Sequence, residues 1–217
     1  MITRRNLLCS LLLSMGSGTN NVSAWAQTAP SKGAPARIVI LGDSITAGYG
    51  LTRDQAFPAV LQRKISEANL PFEVVAAGVS GDTTAGGLRR IAWALGPGAA
   101  VCIIALGGND GLRGVPPEQT EANLNAIIQA VRNKNPQTLI VLAGMQMPEN
   151  LGAAFVKTFA AVFPRVAAQN RVELIPSLLE GVAGVTELNQ PDLIHPTAEG
   201  QKRVAETVWR TLHPLLR

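Results

Sequence analysis

Histidine is nearly missing from this chain: its 217 residues include two, His195 and His213. Cysteine is as scarce, at Cys9 and Cys102. No His-x-x-x-His pair and no paired-cysteine spacing occurs, so the ligand sets that hold zinc are absent. Nor is there a Gly-x-x-x-x-Gly-Lys phosphate cradle, or a Gly-x-Gly-x-x-Gly run after the first strand. No metal or other cofactor is therefore expected. Aromatic residues make up 4% of the chain, too few for a surface that stacks bases or sugars. The net charge of +4 is spread without a long basic run, which argues against a nucleic-acid partner. What is abundant is apolar: 47% hydrophobic against 16% charged residues describes a globular chain that can bury a substantial core.

The first 26 residues read as an export signal. Arg4 and Arg5 supply its positive end. Leu7 to Met15 form an apolar stretch well short of the ~20 residues that cross a bilayer. Ala24-Trp25-Ala26 then places small residues where a signal peptidase reads. Thr3-Arg4-Arg5-Asn6-Leu7-Leu8 resembles a twin-arginine signal but lacks its following Phe and Lys, so the general secretory route and the twin-arginine route both stay open. Cleavage after Ala26 would remove two arginines and no acid, lowering the formal charge from +4 to +2. It would also leave Cys102 alone in the mature chain, without a partner for a disulfide. Cys102 lies inside the apolar run from Ala99 to Leu106, as a buried and inert thiol would. A periplasmic or secreted protein with no stable membrane insertion is expected. Residues 27–36 read as a flexible leader, and 37–217 as one domain.

Within that domain short β-rich runs alternate with amphipathic ones. Arg37–Leu41, Phe72–Ala76, Val101–Leu106, Thr138–Ala143 and Val172–Ile175 are the strand candidates. Several are apolar almost throughout, as parallel strands covered on both faces are. Helical patterns fall at Phe57–Glu67, Thr83–Leu95, Pro117–Asn133, Leu151–Gln169 and Thr197–Leu216. Gly86 and Gly87 weaken the second of these, which suggests close packing there, near a ligand. The alternation predicts an α/β fold: a three-layer α/β/α sandwich on a five-stranded parallel sheet. Ligands of open α/β sheets sit outside the carboxyl ends of the strands. Ser44 follows the first strand, Gly81 the second, Asn109 the third, and His195 the last, so four loops converge on one edge.

Each residue on that edge has a chemical reading and a bland one. Ser44, after Gly42-Asp43, sits where a helix starts, either as a nucleophile whose own N–H faces an oxyanion or as a plain N-cap. A serine hydroxyl needs a base, and His195 is the histidine on the right edge. Asp192, three residues earlier, can reach its Nδ1 and fix its tautomer, though an Asp cap beside a surface histidine has the same spacing. Asn109 in Leu106-Gly107-Gly108-Asn109-Asp110 is an oxyanion donor or an ordinary turn residue. Gly81 offers a backbone donor or merely precedes a helix. Ser80 nearly fits a Gly-x-Ser-x-Gly elbow, but Asp82 occupies the last glycine position. His213, beside Pro214 in the C-terminal helix, reads as solvated or partly packed.

Taken together, Gly42-Asp43-Ser44, Gly81, Gly107-Gly108-Asn109-Asp110 and Asp192-Leu193-Ile194-His195-Pro196 resemble the four blocks of the SGNH, or GDSL-like, hydrolases. The chain is most similar to their periplasmic thioesterase, arylesterase and lysophospholipase branch. Ala47-Gly48-Tyr49-Gly50 and Ser80-Gly81-Asp82-Thr83-Thr84 add to the likeness, which runs from about Ile38 to Pro196. The resemblance implies a flavodoxin-like SGNH fold and an exported serine esterase of carboxylic esters or thioesters. Ser44 would be the nucleophile, His195 the base and later the acid, and Asp192 its orienting carboxylate. The backbone N–H groups of Ser44 and Gly81 and the Asn109 side chain would form the oxyanion hole. Met145, Met147 and Leu151, after the fourth strand, would line the acyl site. The chain departs from the family at Ala76, often asparagine, and at Ala105, often acidic; neither carries a triad or oxyanion role. The same scaffold also serves carbohydrate O-deacetylases, and a non-catalytic flavodoxin-like binding module is the alternative of a different class. A small ester or acyl substrate is the expected partner; the sequence leaves the oligomeric state open.

Overall fold

The computed structural model describes residues 35–216. The export signal, Cys9 and nearly all of the leader lie outside the described residues. Five strands form one parallel sheet: β1 (Ala36–Gly42), β2 (Phe72–Gly78), β3 (Val101–Ala105), β4 (Leu139–Ala143) and β5 (Glu173–Ile175), in the order β2-β1-β3-β4-β5. Ile38 to Leu41 and Cys102 to Ile104 are fully buried, as the unbroken apolar runs required. Burial pushes the Cys102 thiol up to about 12, so it stays protonated and inert.

Helices cover both faces. α2 (Phe57–Glu67) packs against α8 (Ala198–Leu212) on one side. On the other, α3 (Thr84–Leu95) packs against α5 (Pro117–Lys134), and α5 against α7 (Val162–Asn170). The three-layer sandwich is thus the observed fold. Two short helices leave strand ends, each a single turn too brief to show periodicity: α1 (Ser44–Ala47), which starts at Ser44 as read from the sequence, and α4 (Gly108–Leu112), which was not expected.

The helix expected over 151–169 is two helices. α6 (Ala153–Ala160) and α7 meet at Ala161, and residues Glu149–Leu151 form a separate 3₁₀ turn. Pro164 explains the break: it has no N–H for the Ala160 carbonyl, a loss tolerated only in a helix's first turn. Phe155, Phe159 and Phe163 hold the break together, with neighbouring rings 5.6 and 5.7 Å apart. Pro214 acts likewise at the C-terminus, where α8 gives way to a 3₁₀ turn at His213–Leu216. Gly86 and Gly87 open space for protein, not for a ligand. A Cβ at 86 would lie 1.6 Å from Asp82 Oδ1, and one at 87 would lie 2.2 Å from Leu106 Cδ1.

The strand order places a topological switch point at β1, whose chain turns one way to β2 and then the other to β3. α1 leaves the end of β1, and α4 leaves the end of β3. Those two turns carry Ser44 and Asn109.

Candidate active site

Ser44 opens α1, and the site can be built outward from it. Asp43 is the N-cap, its Oδ1 accepting the Ile45 N–H at 3.0 Å. The turn is dense: a Cβ at Gly42 would lie 2.0 Å from Thr46 Oγ1, and one at Gly78 would lie 2.4 Å from the Ala47 backbone nitrogen. Only glycines at the ends of β1 and β2 let α1 sit so close to the sheet. Ser44 is held here at 8% exposure, buried but reachable.

His195 comes from the loop after β5, not from the start of α8, whose N-cap is Thr197. Its Nε2 stands 2.9 Å from Ser44 Oγ, and its Nδ1 stands 2.6 Å from Asp192 Oδ2. The other Asp192 oxygen accepts the backbone N–H groups of Ile194 at 2.9 Å and His195 at 3.0 Å. This Asx-type turn puts Leu193 at φ +57, a left-handed conformation that costs a branched residue on the order of 1–2 kcal/mol. Both carboxylate oxygens are therefore committed to aiming one imidazole. Partial desolvation acts to raise the Asp192 pKa, but the His195 N–H and ring and the Ile194 N–H outweigh it and hold the carboxyl down to about 2. The loop is fastened from outside by Gln190, whose side chain donates to the Tyr49 carbonyl at 2.7 Å and the Pro196 carbonyl at 3.1 Å. The Tyr49 ring lies against His195, with centroids 4.5 Å apart.

Asn109 lies in α4, after Gly107, whose φ of +120 turns the chain sharply out of β3. The Asn109 amide donates to the Asp82 carbonyl at 2.9 Å and, more weakly, towards Asp43 Oδ2 at 3.4 Å. Asn109 thus bridges the loop after β2 and the turn that holds Ser44. Gly81, in that loop, adopts φ +78, where a Cβ-bearing residue would be strained, and its carbonyl accepts from Arg113 at 2.9 Å. Next to Asn109, buried Asp110 accepts from the Thr84 N–H at 2.8 Å and the Thr84 hydroxyl at 2.5 Å, tying α4 to the start of α3.

The other sequence candidates are less favoured by the geometry. Met145 and Met147 are 5% and 8% exposed and belong to the core. Met145 packs near Gly107, and Met147 fills the space beside Gly111, which holds α4 in place. Of that trio Leu151 alone is exposed. The departure at Ala105 is buried at the end of β3. Ala76 lines a separate cleft of about 610 Å³ between α2 and β2, together with Thr46, Arg53 and Gln62; neither Ser44 nor His195 borders it. Sequence reasoning passed over Asp43, although it stood beside the nucleophile candidate. Burial pushes its carboxyl from 3.8 up to about 6, against the Ile45 hydrogen bond and the attraction of His195.

A serine, histidine and carboxylate joined in series, on the ligand-binding edge of a five-stranded α/β/α sandwich, define the class of serine-type acyl hydrolases. Residues 40–203 match the GDSL-like Lipase/Acylhydrolase family, and the chain belongs to it. It is 42% identical over 180 residues to the esterase TesA of Pseudomonas aeruginosa, covering 82% of this chain and 89% of that one. To thioesterase 1/protease 1/lysophospholipase L1 of Escherichia coli K12 it is 36% identical over 180 residues, covering 82% and 84%. The crystal structure of TesA superposes with a TM-score of 0.79 at 41% identity, over 82% of this chain and 99% of the other.

Proposed function

We propose that this protein is an exported esterase that cleaves acyl esters and thioesters through an acyl-enzyme on Ser44. The observation that carries the reading is the unbroken series Asp192 Oδ2, His195, Ser44 Oγ, with gaps of 2.6 and 2.9 Å. In this mechanism Ser44 Oγ attacks the acyl carbon while His195 Nε2 takes the hydroxyl proton. Asp192 stabilises the imidazolium without accepting its proton, as a carboxyl held down to about 2 must. The tetrahedral oxyanion is received by the N–H groups of Ser44 and Gly81 and the Asn109 amide, each worth roughly 2.7–4 kcal/mol of barrier. His195 then protonates the leaving alcohol or thiol. A water, deprotonated by the same nitrogen, releases the acid and restores the serine.

The surroundings favour a substrate with an acyl tail. Tyr49, Val79, Leu112, Leu151, Leu193 and Ile194 are exposed large apolar side chains, all on connections that leave the carboxyl ends of strands. Apolar side chains gathered at the edge that holds the nucleophile are what an acyl chain would bury. Leu151, not the two methionines, is the member of the loop after β4 available for that contact.

The test is hydrolysis of p-nitrophenyl esters from acetate to palmitate by the mature protein and by Ser44→Ala. We expect turnover to fall by about 10⁴-fold or more with the serine removed, and to peak above acetate. Turnover that survives in Ser44→Ala would overturn the assignment; activity confined to acetate would indicate a deacetylase.

A further inference from the structure

Arg90 touches none of the three groups assigned to the oxyanion hole, yet it is bonded to the backbone that carries them. It sits on α3 with its side chain 17% exposed, and its guanidinium is divided three ways. Nη2 donates to the Gly42 carbonyl at 2.7 Å, at the end of β1 directly before Asp43 and Ser44. Nη1 donates to the Ala77 carbonyl at 2.8 Å, near the end of β2. Nε donates to Asp82 Oδ2 at 2.6 Å, and Asp82 follows Gly81 directly. The Asp82 carbonyl in turn accepts the Asn109 amide at 2.9 Å. α3 is shaped for this arrangement: Gly86 lies one turn before Arg90, and any side chain there would collide with the Asp82 carboxylate at 1.6 Å.

We infer that Arg90 is a positioning residue that sets the spacing of the three oxyanion donors, so that they converge on one point before substrate arrives. This inference rests on the assignment of Ser44, Gly81 and Asn109 made above. A planar, rigid guanidinium suits the task because its donors leave in fixed directions, which an ammonium cannot reproduce. The energetic logic is preorganisation: an oxyanion site accelerates reaction because its dipoles need no rearrangement at the moment charge develops. A displacement of about 1 Å in such a site costs on the order of 10²-fold in rate.

The experiment is a double-mutant cycle on a p-nitrophenyl ester, with Arg90→Gln and Arg90→Lys each made in the wild-type and Asn109→Ala backgrounds. In the wild-type background we expect Arg90→Gln to lower kcat by about 10²-fold with KM roughly unchanged, and lysine to rescue little. In Asn109→Ala the same change should cost less than about tenfold, because one of the donors it positions is already gone. An effect equal in both backgrounds, confined to KM, or absent would overturn the inference. Asp82→Asn weakens one arm of the clamp with little change of volume; should Arg90→Gln fail to fold, an undiminished kcat in Asp82→Asn would overturn it equally. Ser44→Ala is measured alongside. Turnover surviving there would sink the serine assignment itself, whereas Ser44-dependent turnover undiminished by Arg90→Gln would sink only the role given to Arg90.

Discussion

Asp43 shows how much one side chain can carry in this site. It caps α1, is nearly sealed from solvent, and lies within reach of Asn109. Its burial has a measurable consequence. The folded-state carboxyl titrates near 6 and its ordinary value is 3.8, so between those limits the folded protein holds a proton that the unfolded chain releases. The raised pKa contributes stability at low pH that is lost as pH climbs through that window. Asparagine cannot titrate. Asp43→Asn should therefore gain stability relative to wild type as pH crosses the window upward, measured by urea unfolding on either side of it. A difference between the two proteins that is the same at both pH values would contradict this account. Asp192 has the opposite sign: its depressed pKa stabilises above the ordinary carboxylate range and is lost only in strong acid. The triad candidates were legible in the sequence because a nucleophile, a base and a carboxylate are distinct residue types and histidine is scarce. Asp43 and Arg90 were not, because each works through contacts between residues far apart in the chain, and no local spacing signals a 48-residue reach from Arg90 to Gly42.

At the scale of elements, α1 is the decisive piece, a single turn that depends on two strand ends for its position. Gly78 at the end of β2 has no room for a side chain: the atoms a Cβ would meet are Ala47 N at 2.4 Å, the Thr46 carbonyl carbon at 2.8 Å and the Asp43 carbonyl oxygen at 2.9 Å. All are backbone, so none can rotate aside. Gly78→Ala should push α1 off the sheet, destabilise the fold by about 1–3 kcal/mol and lower kcat together. Unchanged melting temperature and turnover would show that α1 is not held by that contact. The five strands and the main helices could be placed from hydrophobic pattern alone, since buried parallel strands and amphipathic helices advertise themselves. The division of 151–169 at Ala161 could also have been read from Pro164, which stands inside an otherwise helical pattern. What pattern could not show was that Met145 and Met147 turn inward. An apolar residue after a strand fits a core or a groove equally well, and only the neighbours, Gly107 and Gly111, decide.

At the scale of the whole molecule, the residues proposed to act on the substrate all lie on one edge of the sandwich. Among the described residues no helix is long and apolar enough to cross a membrane. The export proposal rests on Arg4, Arg5, the apolar run to Met15 and Ala24-Trp25-Ala26. It predicts that the protein recovered from outside the cytoplasm begins at Gln27; a chain retained inside the cell with its first residues intact would refute it. For the chemistry, the most direct measurement is mass spectrometry of the protein after reaction with a p-nitrophenyl alkylphosphonate, which arrests a serine hydrolase at the tetrahedral stage. The account predicts one phosphonyl group per chain, on the peptide containing Ser44, none on Ser44→Ala, and loss of esterase activity in step with labelling. A label on Ser80, or ester turnover that continues in a protein fully labelled at Ser44, would contradict it.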